Sequence, residues 1–168
     1  MRRTRTLPLV AVLLMGGVAV GCAPPQAQRL DVEQEAAIAD TLLSITEAYN
    51  AVWEELDLER ISEYHADDFT YYRRGEVQSA SQTEFEQAYH DDVATQITAY
   101  WADATETSVD VLGPDAGVVA FVFRGGVETP DGATWDYHGA LTYVFERRDG
   151  QWRIVHIHES AYSPESPE

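Results

Sequence analysis

The stretch DGQWRIVHIHES, residues 149–160, decides the fold of this chain. It begins with Asp149-Gly150, a pair typical of tight β-hairpin turns, and continues with alternating apolar and polar side chains. Such alternation is the period of a half-buried strand. The preceding segment LTYVFERR, residues 141–148, has the same character. The two segments therefore predict a long antiparallel hairpin near the end of the chain.

Further strands lie upstream of this hairpin. Turn signals at GPDAG (113–117), PDG (130–132) and RDG (148–150) divide the region after Gln96. We expect strands at about 97–112, 117–128, 133–147 and 151–162. A shorter strand near 69–79, with a hairpin turn at Arg74-Gly75, precedes them. These segments predict a curved antiparallel sheet.

Helical patterns precede the strands. Apolar residues recur at helical spacing over about 31–56, where Asp31 and Gln34 form a capping box. A shorter helix is expected to start at Asp57, and the capping sequence SQTE at 81–84 opens a third helix over about 82–94. Helices followed by a meander of strands predict an α+β architecture, in which the helices cover one face of the sheet.

The first 30 residues predict export. Three arginines within the first five residues precede an apolar run from Leu7 to Val20, which is too short and wrongly flanked for a transmembrane helix. Cys22, the only cysteine of the chain, follows small residues. This arrangement resembles a bacterial lipoprotein signal, which implies lipidation of Cys22. Because Ala19 stands where such signals usually carry leucine, cleavage by an ordinary signal peptidase stays an alternative.

The chain accordingly divides into four parts. We expect a signal peptide at 1–21, a lipidated tether at 22–30, one folded domain at 31–162 and a flexible tail at 163–168. The predicted location is that of a membrane-anchored lipoprotein facing the periplasm or the cell exterior.

The composition is strongly acidic. The chain has 29 acidic and 11 basic residues, every basic residue is an arginine, and the formal net charge is -18. This balance disfavours binding to nucleic-acid phosphates or to an anionic membrane surface. A hydrophobic content of 45% is too high for a disordered acidic tail and is enough for one core. With a single cysteine, no disulfide within the chain supports the fold.

The register of the last hairpin determines which side chains face the helices. A two-residue turn at Asp149-Gly150 would place Tyr143 opposite His156, whereas a three-residue loop starting at Arg148 would place it opposite Val155. We expect the three-residue loop, because it gathers the apolar side chains on one face. The predicted inner face comprises Phe121, Phe123, Trp135, Tyr137, Leu141, Tyr143, Phe145, Val155, Ile157 and Glu159.

The same ending is similar to the association domain of calcium/calmodulin-dependent protein kinase II and to bacterial SnoaL-like domains. The resemblance is carried by residues 147–160 and covers about 33–162. It implies the cone-shaped nuclear transport factor 2-like fold, with three N-terminal helices packed on a curved antiparallel sheet around a pocket. That scaffold hosts isomerases, dehydratases, cyclases and epoxide hydrolases, and also binding and oligomerising modules.

The resemblance also implies a changed pocket. Association domains line it with arginines, and the matching positions here are Phe123 (Arg124 if the register moves by one residue), Tyr143 and Glu159. An aromatic pocket with one acid disfavours an anionic ligand. The expected pocket walls are Tyr49, Trp53, Trp101, Phe123, Trp135 and Tyr137, all of which are also candidate core residues.

Glu159 and Tyr143 are the candidate catalytic residues. A carboxyl group among aromatic rings is suited to acid–base work, and a neighbouring tyrosine that shares its hydrogen bond could polarise a carbonyl or phenol oxygen. The alternative is a structural role for Glu159. We favour that alternative because the sequence identifies no second acid.

Three histidines, His138, His156 and His158, are expected on the outer face, with His138 opposite Ser160. They could hold zinc or copper, but only Asp136 is available to complete such a set, so we predict no metal and no cofactor. A subunit interface is the favoured use of this face, and we expect a homodimer. The apolar residues predicted in that interface are Val122, Val144, Trp152 and Ile154.

The sequence thus yields two hypotheses of function. The first is an exported SnoaL-like domain that binds a small hydrophobic or aromatic molecule, or acts as a homo-oligomeric module. The second is a cofactor-independent isomerase, dehydratase or cyclase that uses Glu159 as a general base.

Overall fold

The computed structural model describes residues 29–162. The predicted signal peptide, Cys22 and the C-terminal tail lie outside the described residues. The helical elements are α1 (Val32–Glu54), α2 (Leu58–Ser62), α3 (Gln82–Ala88) and α4 (Ala94–Gln96), with a π-helical turn (Tyr89–Val93) between the last two. The strands are β1 (His65–Arg73), β2 (Glu76–Ser79), β3 (Ala99–Gly113), β4 (Ala116–Glu128), β5 (Thr134–Arg148) and β6 (Gln151–Tyr162).

Helix α1 begins at the predicted capping box. The Asp31 Oδ1 atom accepts a hydrogen bond from the Gln34 backbone N–H at 2.8 Å, and the Gln34 side chain accepts one from the Asp31 N–H. The buried face of α1 comprises Leu42, Thr46, Tyr49 and Val52. Over residues 29–162, no helix combines the length and the apolar character that a membrane span requires.

The six strands form one sheet in the order β2-β1-β6-β5-β4-β3. Neighbouring strands are antiparallel except β1 and β6, which are parallel. The predicted α+β architecture is confirmed, and the parallel pair adds a junction that the sequence did not indicate. It forms because the chain passes through α3 and the whole meander before β6 returns to lie beside β1.

The turn of the last hairpin differs from the predicted loop. Arg148 pairs with Gln151, and Asp149 and Gly150 have φ angles of 52° and 81°. Two consecutive residues with positive φ are the signature of a two-residue type I′ turn, for which Asp-Gly is a preferred sequence. The predicted three-residue loop was therefore wrong.

A β-bulge further along β6 compensates for this difference. The register shifts between Val144 and Phe145, which pair with His156 and Ile154, so Val155 is the extra residue. Beyond the bulge Tyr143 pairs with Ile157 and Leu141 pairs with Glu159. Glu159 consequently lies on the inner face, as predicted, although the turn that places it there is a different one.

The bulge changes the faces of the residues between it and the turn. Ile154 is fully buried in the core, and Trp152 packs against the core, whereas both were predicted on the outer face. Val155, predicted inside, is the bulged residue and is half-buried. The predicted dimer surface therefore loses Ile154 and Trp152.

The core lies between the helices and the inner face of the sheet. Its largest fully buried side chains include Tyr49, Phe69, Phe123 and Phe145. Leu42 of α1 packs closely over Gly117 of β4, and Tyr49 and Trp53, further along α1, face a cavity.

Candidate functional site

A cavity of about 540 Å³ opens between the helices and the inner face of the sheet. This volume lies within the usual range of small-molecule pockets. Its walls are mainly aromatic, with a few polar side chains. The aromatic lining residues are Tyr49, Trp53, Tyr71, Phe85, Tyr89, Tyr100, Phe123, Trp135, Tyr137, Tyr143 and Tyr162.

Five of the six predicted wall residues line this cavity, and Trp101 does not. Trp101 points to the opposite face of β3, where its ring covers Gly126 so closely that a Cβ atom there would lie 2.2 Å from the indole. Tyr100 lines the cavity instead, in register with Val127 and Trp135. The sequence placed the wrong member of the Tyr100-Trp101 pair inside because both are large aromatic residues.

Glu159 lies in the cavity wall with two partners from β1, one through a hydrogen bond and one through an ion pair. The Tyr71 hydroxyl donates to Glu159 Oε2, and the Arg73 Nε atom lies 3.0 Å from Glu159 Oε1. The Glu159 side chain is only 12% exposed, and parallel pairing of β1 with β6 places Arg73 directly beside it. The cavity therefore contains a carboxylate that is matched by one cation and one phenol.

The predicted hydrogen bond between Tyr143 and Glu159 was wrong. The Tyr143 hydroxyl donates to Asn50 Oδ1 at 2.9 Å, and Tyr143 itself is fully inside the aromatic core. A partner for Glu159 was expected, because a buried carboxylate without one is costly. Glu159 does have partners, as expected. Which residues these are depends on the parallel pairing of β1 with β6, and no local sequence pattern predicted that pairing.

The buried tyrosines Tyr71, Tyr100 and Tyr137 of the cavity are protonated donors over the physiological pH range. Burial raises the pKa of Tyr71 well above its usual value, and the charge of Glu159 raises it further. Burial likewise raises the pKa of Tyr100 to about 12, and it raises that of Tyr137 beyond the ordinary range. These phenols can therefore donate hydrogen bonds to a ligand, but they are poor general acids near neutral pH.

His65 is a buried ionisable group that no sequence pattern indicated. Its Nε2 atom is 2.8 Å from the Tyr49 hydroxyl, and its ring stacks on Phe69 at a centroid distance of 4.0 Å. Burial lowers the pKa of His65 to about 3, so the imidazole is neutral. His65 does not line the cavity, and a lone histidine at the start of a strand gave no signal of this contact.

Within residues 29–162, no three His, Cys, Asp or Glu side chains are arranged so that they could hold a metal ion. The outer-face histidines therefore do not form a metal site there. The His156 Nδ1 atom lies 2.7 Å from the Thr70 hydroxyl. His138 is opposite Tyr162, not Ser160 as predicted, because the bulge moves the register. This face therefore carries hydrogen bonds within the sheet.

The cavity has two kinds of lining side chain, aromatic and polar, with different roles. Aromatic rings offer apolar contact area, while the Tyr71 hydroxyl and the Arg73 guanidinium group lie beside the Glu159 carboxyl group at one side. A site of this kind can hold an apolar molecule and orient a single polar group on it.

Comparison with known proteins places this site in a family. The family model described as "SnoaL-like domain" matches residues 42–164, which is most of the chain. No curated protein matches the sequence significantly.

Several solved structures share the fold. A Xanthomonas campestris protein, provisionally assigned as a calcium/calmodulin-dependent protein kinase II association domain, has 25% identity and a TM-score of 0.64 over 75% of this chain and 88% of its own. A provisionally assigned scytalone dehydratase from Novosphingobium aromaticivorans has 9% identity and a TM-score of 0.72, covering 82% and 93%. The hexachlorocyclohexane dehydrochlorinase LinA-type3 from Novosphingobium barchaimii has 12% identity and a TM-score of 0.69, covering 79% and 92%. At such identities the last two indicate the fold alone.

Proposed function

We propose a small-molecule-binding function for this chain, which belongs to the SnoaL-like domain family. The observation that supports this function best is the cavity of about 540 Å³, whose walls are mainly aromatic and whose polar groups converge at Glu159. The ligand is a small hydrophobic or aromatic molecule with one polar substituent.

Binding is tested with the hydrocarbon tetralin as a probe of the aromatic walls. We expect tetralin to shift the NMR signals of cavity residues in the purified protein. The variant Val127→Trp fills the cavity and should abolish those shifts. Val77→Trp is the matched control, because Val77 is 54% exposed on β2 and does not line the cavity. Equal binding to both variants would place the ligand outside the cavity.

A cofactor-independent enzyme is the second candidate, since a carboxylate, a guanidinium group and a phenol converge in the cavity. In this case Glu159 takes a proton from a carbon next to a carbonyl group, and the neighbouring donors stabilise the developing negative charge on oxygen. The dehydratase and the dehydrochlorinase are named as enzymes and have the same fold as this chain. Their support for an enzymatic function is an analogy of fold.

Proton abstraction is measured without knowing the substrate. The probe is 2-tetralone, whose acidic C–H protons exchange with deuterium in D₂O. If Glu159 is a general base, the wild-type protein should accelerate this exchange about 100-fold or more over Glu159→Gln, the usual size of such a contribution. Exchange at the same rate in both proteins would remove the enzymatic candidate and leave the binding function in place.

Homodimerisation is part of the proposal. It is supported by the exposed Val122 and the half-buried Val144 on the outer face of the sheet, and by the association-domain neighbour. We expect Val122→Glu to dissociate the dimer in sedimentation experiments at micromolar concentration. Val32→Glu is the control, because Val32 is 84% exposed in the first turn of helix α1 and is not part of the sheet. A monomeric wild-type protein would contradict the proposal.

Membrane attachment is proposed on the sequence alone. Cys22 becomes the lipidated N-terminus after removal of residues 1–21, and the protein faces the periplasm or the cell exterior. Mass spectrometry of the membrane fraction should detect a diacylglyceryl-modified Cys22, and Cys22→Ser should release the chain from that fraction. A soluble mature chain with another N-terminus would rule this out.

A further inference from the structure

The centre of the outer sheet face has a composition unlike that of the whole chain. We define the histidine strip as two residues of β6 and the four residues in register with them on β5 and β1, which are His156, His158, Val144, Thr142, Thr70 and Tyr72. The chain has 29 acidic residues and a formal net charge of -18, but none of these six side chains is acidic. Because charged residues are depleted at the centres of protein interfaces, this composition favours a surface that a partner covers. The strip includes Val144 of the proposed dimer surface, so the partner that fits it is a second copy of this chain.

His156 has a fixed position in the strip. Its Nδ1 atom lies 2.7 Å from the Thr70 hydroxyl, and its ring is tilted against the Tyr72 ring at a centroid distance of 5.1 Å. Burial lowers the pKa of His156, and the neighbouring His158 on the same face of β6 lowers it further. The two imidazoles therefore oppose each other's protonation.

The acidic side chains that follow the strip along its neighbouring strands are already paired. Asp68 and Glu146 stand two residues beyond Thr70 and Val144, and both form ion pairs with Arg148. Asp110 is on β3, which β4 and β5 separate from β6. Within residues 29–162, neither histidine of the strip forms an ion pair.

Further ionisable groups on this face do not supply a negative charge either. Arg124 of β4 is in register with His138 of β5, and the His138 ring lies 6.2 Å from the Tyr162 ring. A positive charge on the strip thus has only water to stabilise it.

A second copy that covers the strip removes this water. A neutral imidazole with a hydrogen bond tolerates the loss, whereas an imidazolium ion without an acidic partner does not. Since a two-fold interface contains the same residues from both subunits, the second copy also brings its own His156 and His158. Protonation would therefore place like charges together in a surface without water.

From this arrangement we infer that protonation of His156 and His158 dissociates the dimer, so that the subunits associate at neutral pH and separate in acid. The inference rests on the homodimer of the proposed function and assigns a regulation to it.

The sign of the effect follows from linkage. Separated subunits bind protons at the strip more tightly than the dimer does, so dissociation takes up protons and a fall in pH favours it. An imidazole with the usual pKa of about 6.5 that is charged only in the monomer weakens the dimer about tenfold at pH 5.5. The acidic surface acts in the opposite direction, because partial loss of its charge reduces the repulsion between two negative chains.

The test is sedimentation equilibrium at pH 7.5 and pH 5.5. For the wild type we expect the dimer dissociation constant to rise at least about tenfold at the lower pH. The double variant His156→Gln, His158→Gln keeps hydrogen-bonding side chains that do not titrate, and its dissociation constant should not rise. His90→Gln is the matched control, because His90 is exposed on the π-helical turn outside the sheet, and it should behave as the wild type does. Near-UV circular dichroism at both pH values checks that the subunits are folded, since His65 also responds to acid.

A second measurement needs neither a variant nor a low pH. The His156 imidazole is titrated by NMR between pH 8 and pH 6 in a dilute and in a concentrated sample of the wild type. Because subunit and proton compete, the apparent pKa of His156 should be lower in the concentrated sample. Identical titration at both concentrations would overturn the inference.

The outcomes separate this inference from the proposed function. A wild type that is monomeric at pH 7.5 contradicts the proposed homodimer, and the regulation falls with it. A wild type that is equally dimeric at both pH values leaves the homodimer in place and overturns the regulation. Acid dissociation of the double variant to the same extent as the wild type would show that other groups are responsible.

Discussion

Glu159 and His65 are both ionisable side chains inside this fold, but their surroundings differ. Glu159 borders the cavity and has Tyr71 and Arg73 as partners. His65 is 4% exposed, stacks on Phe69 and has the Tyr49 hydroxyl as its hydrogen-bonding partner. In the first site, Arg73 places a positive charge beside the Glu159 carboxyl group. The second is neutral because nothing compensates an imidazolium there. An interior charge in this molecule thus depends on a partner from a neighbouring strand.

The largest expected effect is the acid sensitivity that His65 confers. Its pKa is about 3 in the folded protein and 6.5 when the chain is unfolded, so between these values only the unfolded state takes up a proton. The stabilisation is complete above pH 6.5 and is lost as the pH falls toward 3, by on the order of 4 kcal/mol. Chemical denaturation of the wild type and of His65→Gln at pH 7, 5 and 4 measures this loss.

The variant His65→Gln is the matched comparison, since it keeps an acceptor for the Tyr49 hydroxyl but does not titrate. We expect the two proteins to converge in stability as the pH is lowered. Parallel stability curves over this range would mean that His65 is not the buried group that responds to acid.

Removal of the cation should have the next largest effect. In Arg73→Leu the Glu159 carboxylate loses its charged partner, and we expect a loss of about 2 kcal/mol in the free energy of unfolding. The value is below that of a fully buried pair because the Arg73 side chain is 36% exposed. Urea denaturation of Arg73→Leu, Glu159→Leu and the double variant measures the coupling. Strict additivity would show that the two side chains do not stabilise each other.

The phenol partner of Glu159 should contribute less. Tyr71→Phe removes one hydrogen bond to the carboxylate and keeps the ring, so we expect a loss of about 1 kcal/mol in thermal or urea unfolding. The neighbouring Tyr72→Phe is the control, because Tyr72 is on the outer face and 40% exposed. An equal loss in both variants would argue against a special role for the Tyr71 hydroxyl.

The smallest effect is expected at the surface. Arg148 forms ion pairs with Asp68 and Glu146, and all three side chains are more than a third exposed. Arg148→Ala should therefore change the free energy of unfolding by no more than about 0.5 kcal/mol, and any difference should shrink at high salt. A loss as large as that of Arg73→Leu would contradict the contrast between buried and exposed pairs.

The sequence by itself determined the local elements. The capping box at Asp31 and Gln34 opens α1, the Arg74-Gly75 turn joins β1 to β2, and Tyr49 faces the sheet, all as predicted. The reason is that capping, positive φ angles and hydrophobic periodicity act over a few residues. The face of Glu159 was also predicted, although the expected loop was replaced by a tight turn and a bulge at Val155.

Only the tertiary structure decided the composition of the site. Arg73 and Tyr71 meet Glu159 because β1 lies parallel to β6 across 86 residues of sequence, and Tyr100 replaces Trp101 because the pleat of β3 presents only one of them to the cavity. Neither relation is contained in a local pattern. Which strands become neighbours and where a strand bulges are set by packing of the whole sheet against the helices, so the partners of the buried carboxylate were fixed only when the sheet was assembled.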